Sequence, residues 1–106
     1  MLVTAWNNGQ HHSSGAGYGL KLNATDRDRH FRREWGTVLV SLSGEAETVE
    51  INVAKKSFWS ESCRELISKG IGQWLQKNRL APWPPGNPPK LQLKPEGSRR
   101  FRLQKA

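Results

Sequence analysis

The stretch Ser57 to Leu80, SFWSESCRELISKGIGQWLQKNRL, decides the fold, because it is the only long run of the sequence with helical periodicity. Apolar residues recur there at i, i+3 and i+4 on either side of Gly70, first as Cys63, Leu66 and Ile67 and then as Ile71, Trp74 and Leu75. This pattern predicts two short helices, each with one apolar stripe that covers a sheet.

The ends of these two helices are also indicated by the sequence. Ser62 followed by Glu65 has the spacing of a capping box, in which each side chain accepts a hydrogen bond from the backbone amide of the other residue, so the first helix is expected to begin near Cys63. Asn78 is expected to end the second helix.

Outside this stretch, alternating apolar and polar residues predict strands. Residues 18–22 form one such run, residues 38–42 and 49–53 form a hairpin, and residues 90–94 and 101–103 form a second hairpin whose outer face is basic. Asn23 or Thr25 is expected to cap a short helix or turn after the first strand. The order of strands, helices and strands predicts a mainly β member of the α+β class, with a mixed antiparallel sheet or a small barrel and two or three short helices.

The length of 106 residues is that of a single domain. Residues 1–17 have no period and end in Ser and Gly, so they are expected to be a flexible N-terminal arm with a short anchoring piece at 2–6. The domain is then expected to occupy residues 18–106. Five tryptophans predict a core rich in aromatic residues.

The charge balance is 17 basic against 9 acidic residues, which gives a formal net charge of +8. A charge of this size favours phosphate backbones or acidic surfaces as partners, although a basic protein without such a partner has the same composition. The single cysteine, Cys63, excludes an internal disulfide and is typical of a reducing compartment. No run has the length of a membrane span or signal-peptide core, so a cytoplasmic protein without a membrane partner is expected.

Catalytic and metal-binding patterns are sparse. Asp26 and His30 are four residues apart, but such a pair on a helix surface is ordinarily solvated or supports the helix cap. His11 and His12 lie on a segment rich in Gly and Ser and lack further ligands for a metal. GAGYG leads into a strand rather than a helix, so it is not a phosphate-binding loop. The sequence therefore predicts a protein that is not an enzyme and has no cofactor or metal.

Basic residues next to aromatic residues form the strongest pattern. Arg27, Arg29, Arg32 and Arg33 surround Phe31, and Lys55, Lys56 and Arg64 surround the pair Phe58 and Trp59. Arginine contacts phosphates or pairs with guanine in bidentate fashion, and lysine mainly neutralises backbone charge. Phe31 and Phe58 are expected to pack in the core. The two basic segments must converge in space if they are to act together.

Three pieces of the chain, in order, resemble the B3-type DNA-binding domain of plant transcription factors and of some restriction-enzyme effector domains. They are LNATD at 22–26, SFWS at 57–60, and Lys69-Gly70 through Trp74-Leu75 to Asn78-Arg79-Leu80. The resemblance covers about residues 20 to 93. It implies a small open pseudobarrel that binds double-stranded DNA without catalysis.

In that family two arms grip the major groove. The resemblance places the first arm at Thr25 to His30 and the second arm at Lys56 to Ser62. It implies that Arg27 and Arg29 contact the DNA from the first arm and that Trp59 and Ser60 lie nearest the bases in the second. The expected contacts to phosphates and bases together are Arg27, Arg29, Arg32, Arg33, Lys55, Lys56, Trp59, Ser60 and Arg64.

Two other functions fit parts of the sequence. Residues 81–89 hold five of the six prolines and Trp83, and this segment is either a rigid loop pinned by Trp83 or a docking site for a protein partner. Aromatic residues on a sheet face could instead stack on single-stranded RNA or DNA.

Overall fold

The structure is a computed structural model that describes all residues from 1 to 106. It contains seven strands and two α-helices, and two short 3-10 helices lie at Arg33–Trp35 and Lys56–Trp59. The strands are β1 (Leu2–Asn7), β2 (Tyr18–Lys21), β3 (Thr37–Leu42), β4 (Thr48–Asn52), β5 (Glu65–Ile67), β6 (Lys90–Pro95) and β7 (Arg100–Lys105). The helices are α1 (Ala24–His30) and α2 (Lys69–Lys77).

All seven strands belong to one sheet, in the order β4-β3-β7-β6-β1-β2-β5. The two edge strands, β4 and β5, approach each other, so the sheet curls into a nearly closed barrel. The predicted mainly β fold is confirmed. The sheet is not wholly antiparallel, because β3 and β7 are parallel neighbours, with Val40 opposite Phe101 and Leu42 opposite Leu103.

The core lies inside this curled sheet and alternates with the strand period. Both predicted hairpins are present, as β3 with β4 and as β6 with β7. Their inward positions are fully buried at Val38, Val40, Leu91 and Leu93, because successive side chains of a strand point to opposite faces of the sheet. Large aromatic side chains contribute to the same core, as the sequence predicts: Tyr18, Phe31, Phe58, Trp74 and Phe101.

The N-terminal residues do not form the expected free arm, although the anchoring piece expected at 2–6 is present as a strand. Leu2–Asn7 form β1, which lies between β2 and β6 and is hydrogen-bonded to both. Val3 and Ala5 are buried, so this strand supplies core as well as ladder hydrogen bonds. The following residues 8–17 fold back over α2, where Gln76 Nε2 donates to the carbonyl of His12 at 2.8 Å.

The first of the two predicted helices in residues 57–80 is absent. Residues 56–59 form a 3-10 helix, and Glu65–Ile67 form β5, which pairs with β2. Leu66 faces the core, whereas Ile67 is 41% exposed, so the i, i+3, i+4 spacing does not define a buried stripe. The prediction of a capping box at Ser62 is also wrong. Ser62 lies in a loop, and the φ of 122° at Arg64 is incompatible with a helix.

The second helix and its end are confirmed. α2 buries Ile71, Trp74 and Leu75, and it ends with Asn78 as C-cap. α1 begins after Asn23, whose side chain accepts from the amide of Asp26 at 2.8 Å, as one of the two predicted caps.

The connections divide between two ends of the barrel. Thr37 is paired with Asn52, so the segment before β3 and the segment after β4 meet at one end, which we call the arm end (residues 22–36, 53–64 and 95–99). The opposite end, which we call the far end, holds the β1–β2 loop (8–17), the β3–β4 turn (43–47), α2 and residues 78–89.

Candidate nucleic-acid interface

Arg27 joins the first arm to the second. Only 7% of this residue is exposed, and its Nη1 donates to the carbonyl of Phe58 at 2.9 Å and to that of Ser60 at 2.7 Å. Its Nε donates to Asp28 at 3.0 Å. The two basic segments of the sequence therefore converge, and a buried guanidinium fixes their relative position because it is hydrogen-bonded to both.

The second arm is also fixed internally. The indole Nε1 of Trp59 donates to the carbonyl of Val53 at 2.7 Å, and the guanidinium carbon of Arg27 lies 5.3 Å from the centre of the Trp59 ring. The Ser60 hydroxyl donates to the carbonyl of Ser57 at 2.8 Å and accepts from the amide of Cys63 at 3.0 Å. Trp59 and Ser60, expected nearest the bases, thus have polar groups that are engaged within the protein.

Aromatic packing supports both arms from the side of the core. The ring of Phe31, which directly follows α1, stacks on Phe101 with centroids 4.6 Å apart and meets Phe58 edge-on at 5.4 Å. Phe58 in turn meets Trp59 edge-on at 5.3 Å. The core positions expected for Phe31 and Phe58 are confirmed, and these rings fix both arms to the barrel.

Arg64 ties the other ends of the arms together. Its Nε donates to the carbonyl of Leu22 at 2.8 Å, and its own carbonyl accepts from the amide of Leu22 at 3.0 Å. Leu22 comes just before α1, and Arg64 follows the second arm. The start of one arm and the end of the other are therefore joined by backbone and side-chain bonds.

Four of the expected DNA contacts are exposed cations without an intramolecular partner. None of the ion pairs in the structure involves them, and none donates a side-chain hydrogen bond: Arg29, Arg32, Arg33 and Lys56. Lys55 and Arg64 are half-buried next to them. The arm end therefore presents a set of guanidinium and ammonium groups whose donors face solvent.

The acidic residues of the arms fall into two groups. Asp26 accepts from the Asn23 side chain at 3.1 Å, and Asp28 accepts from Arg27, so both carboxylates have partners within the protein. Glu61 is exposed and forms no ion pair. Glu61 is thus the acidic side chain of the second arm that is free to accept a hydrogen bond.

Lys55 has a perturbed titration. Burial lowers the pKa of the Lys55 ammonium, and the charges of Glu65 and Cys63 partly oppose this shift. Desolvation disfavours a cation that has no close partner, so this ammonium loses its proton more readily than an exposed lysine does.

The β6–β7 turn is a part of the arm end that was not predicted to belong to the site. Gly97 and Ser98 line a cleft of about 310 Å³ together with Arg29 and Arg32. Arg99 follows, and its Nε donates to the carbonyl of Thr37 at 3.1 Å. The basic outer face of this hairpin was the only indication in the sequence that the turn belongs to the site. The turn lies beside the arms because β7 pairs in parallel with β3, and no local sequence pattern predicts that pairing.

The remaining candidate groups lie apart from the arms. His11, expected to be solvated, is exposed but has its Nδ1 2.7 Å from the Tyr18 hydroxyl. Burial raises the pKa of Tyr18, and the Gln76 side chain partly opposes that shift. No group of three or more His, Cys, Asp and Glu side chains is placed to hold a metal ion.

The proline-rich segment packs on the far end. Trp83 is half-buried and meets His11 and Tyr18 edge-on at 4.8 and 5.7 Å. The carbonyl of Pro89 accepts from the amide of Ala5 at 2.9 Å. Pro82, Pro84 and Pro85 are exposed.

Comparisons with models of protein families, with curated proteins and with solved structures find no match to this chain. None of its helices has the length and apolar character needed to cross a membrane.

Proposed function

We propose that this chain is a non-enzymatic domain that binds double-stranded DNA through its arm end. The observation that carries the proposal is the cross-link by Arg27, which brings together two basic segments that are about thirty residues apart in the sequence. A duplex-binding surface needs cations at fixed spacing along a phosphate backbone, and the buried guanidinium supplies that fixed spacing.

The exposed residues of the arms suit phosphate contacts. Arg29, Arg32, Arg33 and Lys56 have free donors, and Lys55 and Arg64 extend the same surface. Contacts from Arg and Lys to phosphates position a protein on a duplex and supply most of the binding that is independent of sequence.

The arrangement gives the expected contacts different roles. Arg29 is the arginine of the first arm that is free to reach a guanine edge, whereas Arg27, Trp59 and Ser60 hold the arms in place. Glu61 is free to accept from a cytosine amino group. At a specific site, direct reading of bases therefore falls to Arg29 and Glu61, and the neighbouring cations bind the backbone. On a duplex without that site, Arg29 also contacts a phosphate.

The geometry favours duplex over single-stranded nucleic acid. Binding of single strands relies on exposed aromatic faces on which bases stack. At the arm end Phe31 and Phe58 are buried, and Arg27 lies over the ring of Trp59. The arms thus offer guanidinium and ammonium donors rather than a stacking platform.

The curled sheet with two arms at one end fits the B3-like pseudobarrel that the sequence resembles, and we include that family in the proposal. The support is the strand-rich barrel and the position of residues 25–30 and 56–62 on the same side of it.

The test is fluorescence anisotropy with a random-sequence duplex, one of its strands alone and RNA of the same sequence, each over a salt series. We expect the duplex to bind best, with log affinity falling linearly with log salt. Arg29→Gln/Lys56→Gln, which removes one cation from each arm, should lower the salt slope by about 1.8, since each phosphate contact contributes about 0.9. Equal or better binding of the single strand, or no binding to any of the three, would refute the proposal.

A second candidate is a protein partner that docks on residues 81–89. The observation in its favour is that Trp83 holds this segment on the barrel while Pro82, Pro84 and Pro85 are exposed. A rigid, proline-rich surface suits modules that recognise extended proline-rich segments. Pro84→Ala/Pro85→Ala should abolish capture of such a partner and leave duplex binding unchanged.

A further inference from the structure

A groove on the outer face of the barrel lies next to the arm end. It has a volume of about 310 Å³ and is lined by Leu2, Thr4, Lys21, Asn23, Arg64 and Lys90. Thr4 is opposite Lys21 in β2 and opposite Lys90 in β6. Residues opposite one another in neighbouring strands project from the same face, so both ammonium groups are on the groove side of the sheet.

Two cations of this groove are held in place by hydrogen bonds and still have unused N–H groups. Lys90 Nζ donates to the Thr4 hydroxyl at 3.1 Å, which leaves two of its three N–H groups free. Arg64 uses Nε on the Leu22 carbonyl, which leaves the four N–H groups of its two terminal nitrogens. Lys21 donates to the carbonyl of Ser62 at 3.1 Å and lies 3.8 Å from Glu65, so its charge is largely balanced.

The backbone at Arg64 is strained. Its φ of 122° is rare for any residue other than glycine. Residues held in such conformations cluster at functional sites, where the surrounding structure fixes them. Here the conformation is fixed by the two bonds between Arg64 and Leu22, and it sets an arginine at the mouth of the groove.

We infer that this groove binds a phosphate group of the DNA strand that leaves the arms, with Lys90 and Arg64 as its donors. The exposed side chain of Leu2, 49% accessible, offers the neighbouring deoxyribose an apolar contact. The inference rests on the proposed duplex binding and adds Lys90 and Leu2 to the contact surface.

The experiment compares Lys90→Gln with Lys94→Gln by anisotropy on the same random-sequence duplex over a salt series. Lys94 is on the same strand and the same face but does not line the groove. Both side chains are exposed, so neither change is expected to affect folding. We expect Lys90→Gln to lower the salt slope by about 0.9 and to weaken binding several-fold at low salt, with Lys90→Arg restoring both and Lys94→Gln leaving both unchanged.

The outcomes separate the groove from the arms. If the wild-type chain binds duplex and Lys90→Gln behaves like the wild type or like Lys94→Gln, the groove is not a phosphate site and the proposed function stands. If the wild-type chain binds no duplex, the proposed function fails and the groove assignment fails with it. A further measurement titrates the protein with inorganic phosphate alone. If Lys90→Gln loses phosphate binding but keeps the duplex affinity of the wild type, the groove binds a free anion and not a phosphate of the DNA.

Discussion

The two ends of the barrel are held together by similar bonds but use their charges differently. At the arm end the Trp59 indole donates to Val53, and at the far end the Trp74 indole donates to the carbonyl of Ser43 at 2.8 Å. The far end joins its loops with neutral amides and pairs Lys77 with Glu45 at 2.9 Å. The arm end instead buries Arg27 as its cross-link and leaves the cations around it unpaired.

This difference supports the arm end as the binding surface of the proposed function. An ion pair such as that of Lys77 and Glu45 satisfies a surface cation within the protein, whereas Arg29, Arg32, Arg33 and Lys56 keep their donors for an external anion. The arm end therefore holds four free cations around a buried arginine, whereas the far end has two, Lys69 and Arg79.

The largest expected effect is that of Arg27→Ala. It removes two hydrogen bonds from a charged donor to the Phe58 and Ser60 carbonyls and leaves part of the arm interface unsatisfied, so we expect a loss of about 2–4 kcal/mol in the free energy of unfolding. Because the arms then separate, duplex affinity should fall about tenfold or more at temperatures where the variant is folded. Denaturant unfolding and anisotropy measure the two effects.

The matched change at the far end is Gln76→Ala, which removes the bond to His12. We expect a cost below about 1 kcal/mol, because the bond is exposed and neutral, and no change in duplex affinity. If Gln76→Ala weakened duplex binding as much as Arg27→Ala does, the assignment of binding to one end would be wrong.

The two tryptophans offer a more closely matched pair. Trp59→Phe and Trp74→Phe each remove one indole N–H bond to a backbone carbonyl, so each should lower stability by about 1–3 kcal/mol through the lost bond and the smaller ring. We expect duplex affinity to fall several-fold in Trp59→Phe alone, since only that ring supports an arm. Similar affinities in the two folded variants would remove Trp59 from the positioning role.

The smallest effect is a difference in alkaline pH dependence. Burial lowers the pKa of Lys55, so the folded state favours its neutral form and stability rises as pH increases from that lowered pKa to the ordinary lysine value. Burial raises the pKa of Tyr18 at the far end, so stability falls as pH increases from the ordinary tyrosine value to the raised one.

Denaturant unfolding across alkaline pH measures both contributions. Lys55→Met should remove the rise, and Tyr18→Phe should remove the fall. Lys56→Met, which removes the exposed neighbouring ammonium, is the matched control. A profile that Lys55→Met and Lys56→Met alter equally would contradict the burial of Lys55.

The sequence predicted the elements that have strong local signals. The stripe of Ile71, Trp74 and Leu75 with Asn78 as the end defines α2, and Asn23 caps α1. In each of the two hairpins, one alternating run on each side of a turn correctly predicted the strand pair. In each case the signal lies within about sixteen residues, where periodicity and capping act.

Features that depend on distant partners were not predicted. Val3 and Ala5 are buried only because β2 and β6 flank β1, and neither neighbour is visible from the first seventeen residues. β5 has three residues, too few for a period, and its apolar residues imitate helical spacing by coincidence.

In the candidate site, too, the features that depend on residues distant in the sequence were not predicted. The basic segments were visible in the sequence, but charge alone indicated exposure for Arg27, whose carbonyl partners are 31 and 33 residues away. Its burial and the resulting positioning role follow from tertiary structure.

The most direct test of the account compares two triple variants with the same charge change. Arg29→Gln/Arg32→Gln/Arg33→Gln removes three free cations from the arm end, and Lys69→Gln/Lys77→Gln/Arg79→Gln removes three exposed cations from the far end. Salt-dependent anisotropy on a random-sequence duplex should show a slope lowered by about 2.7 in the first variant and by close to zero in the second. Equal losses in the two variants would mean that net charge alone attracts the duplex, and would contradict a binding site at the arm end.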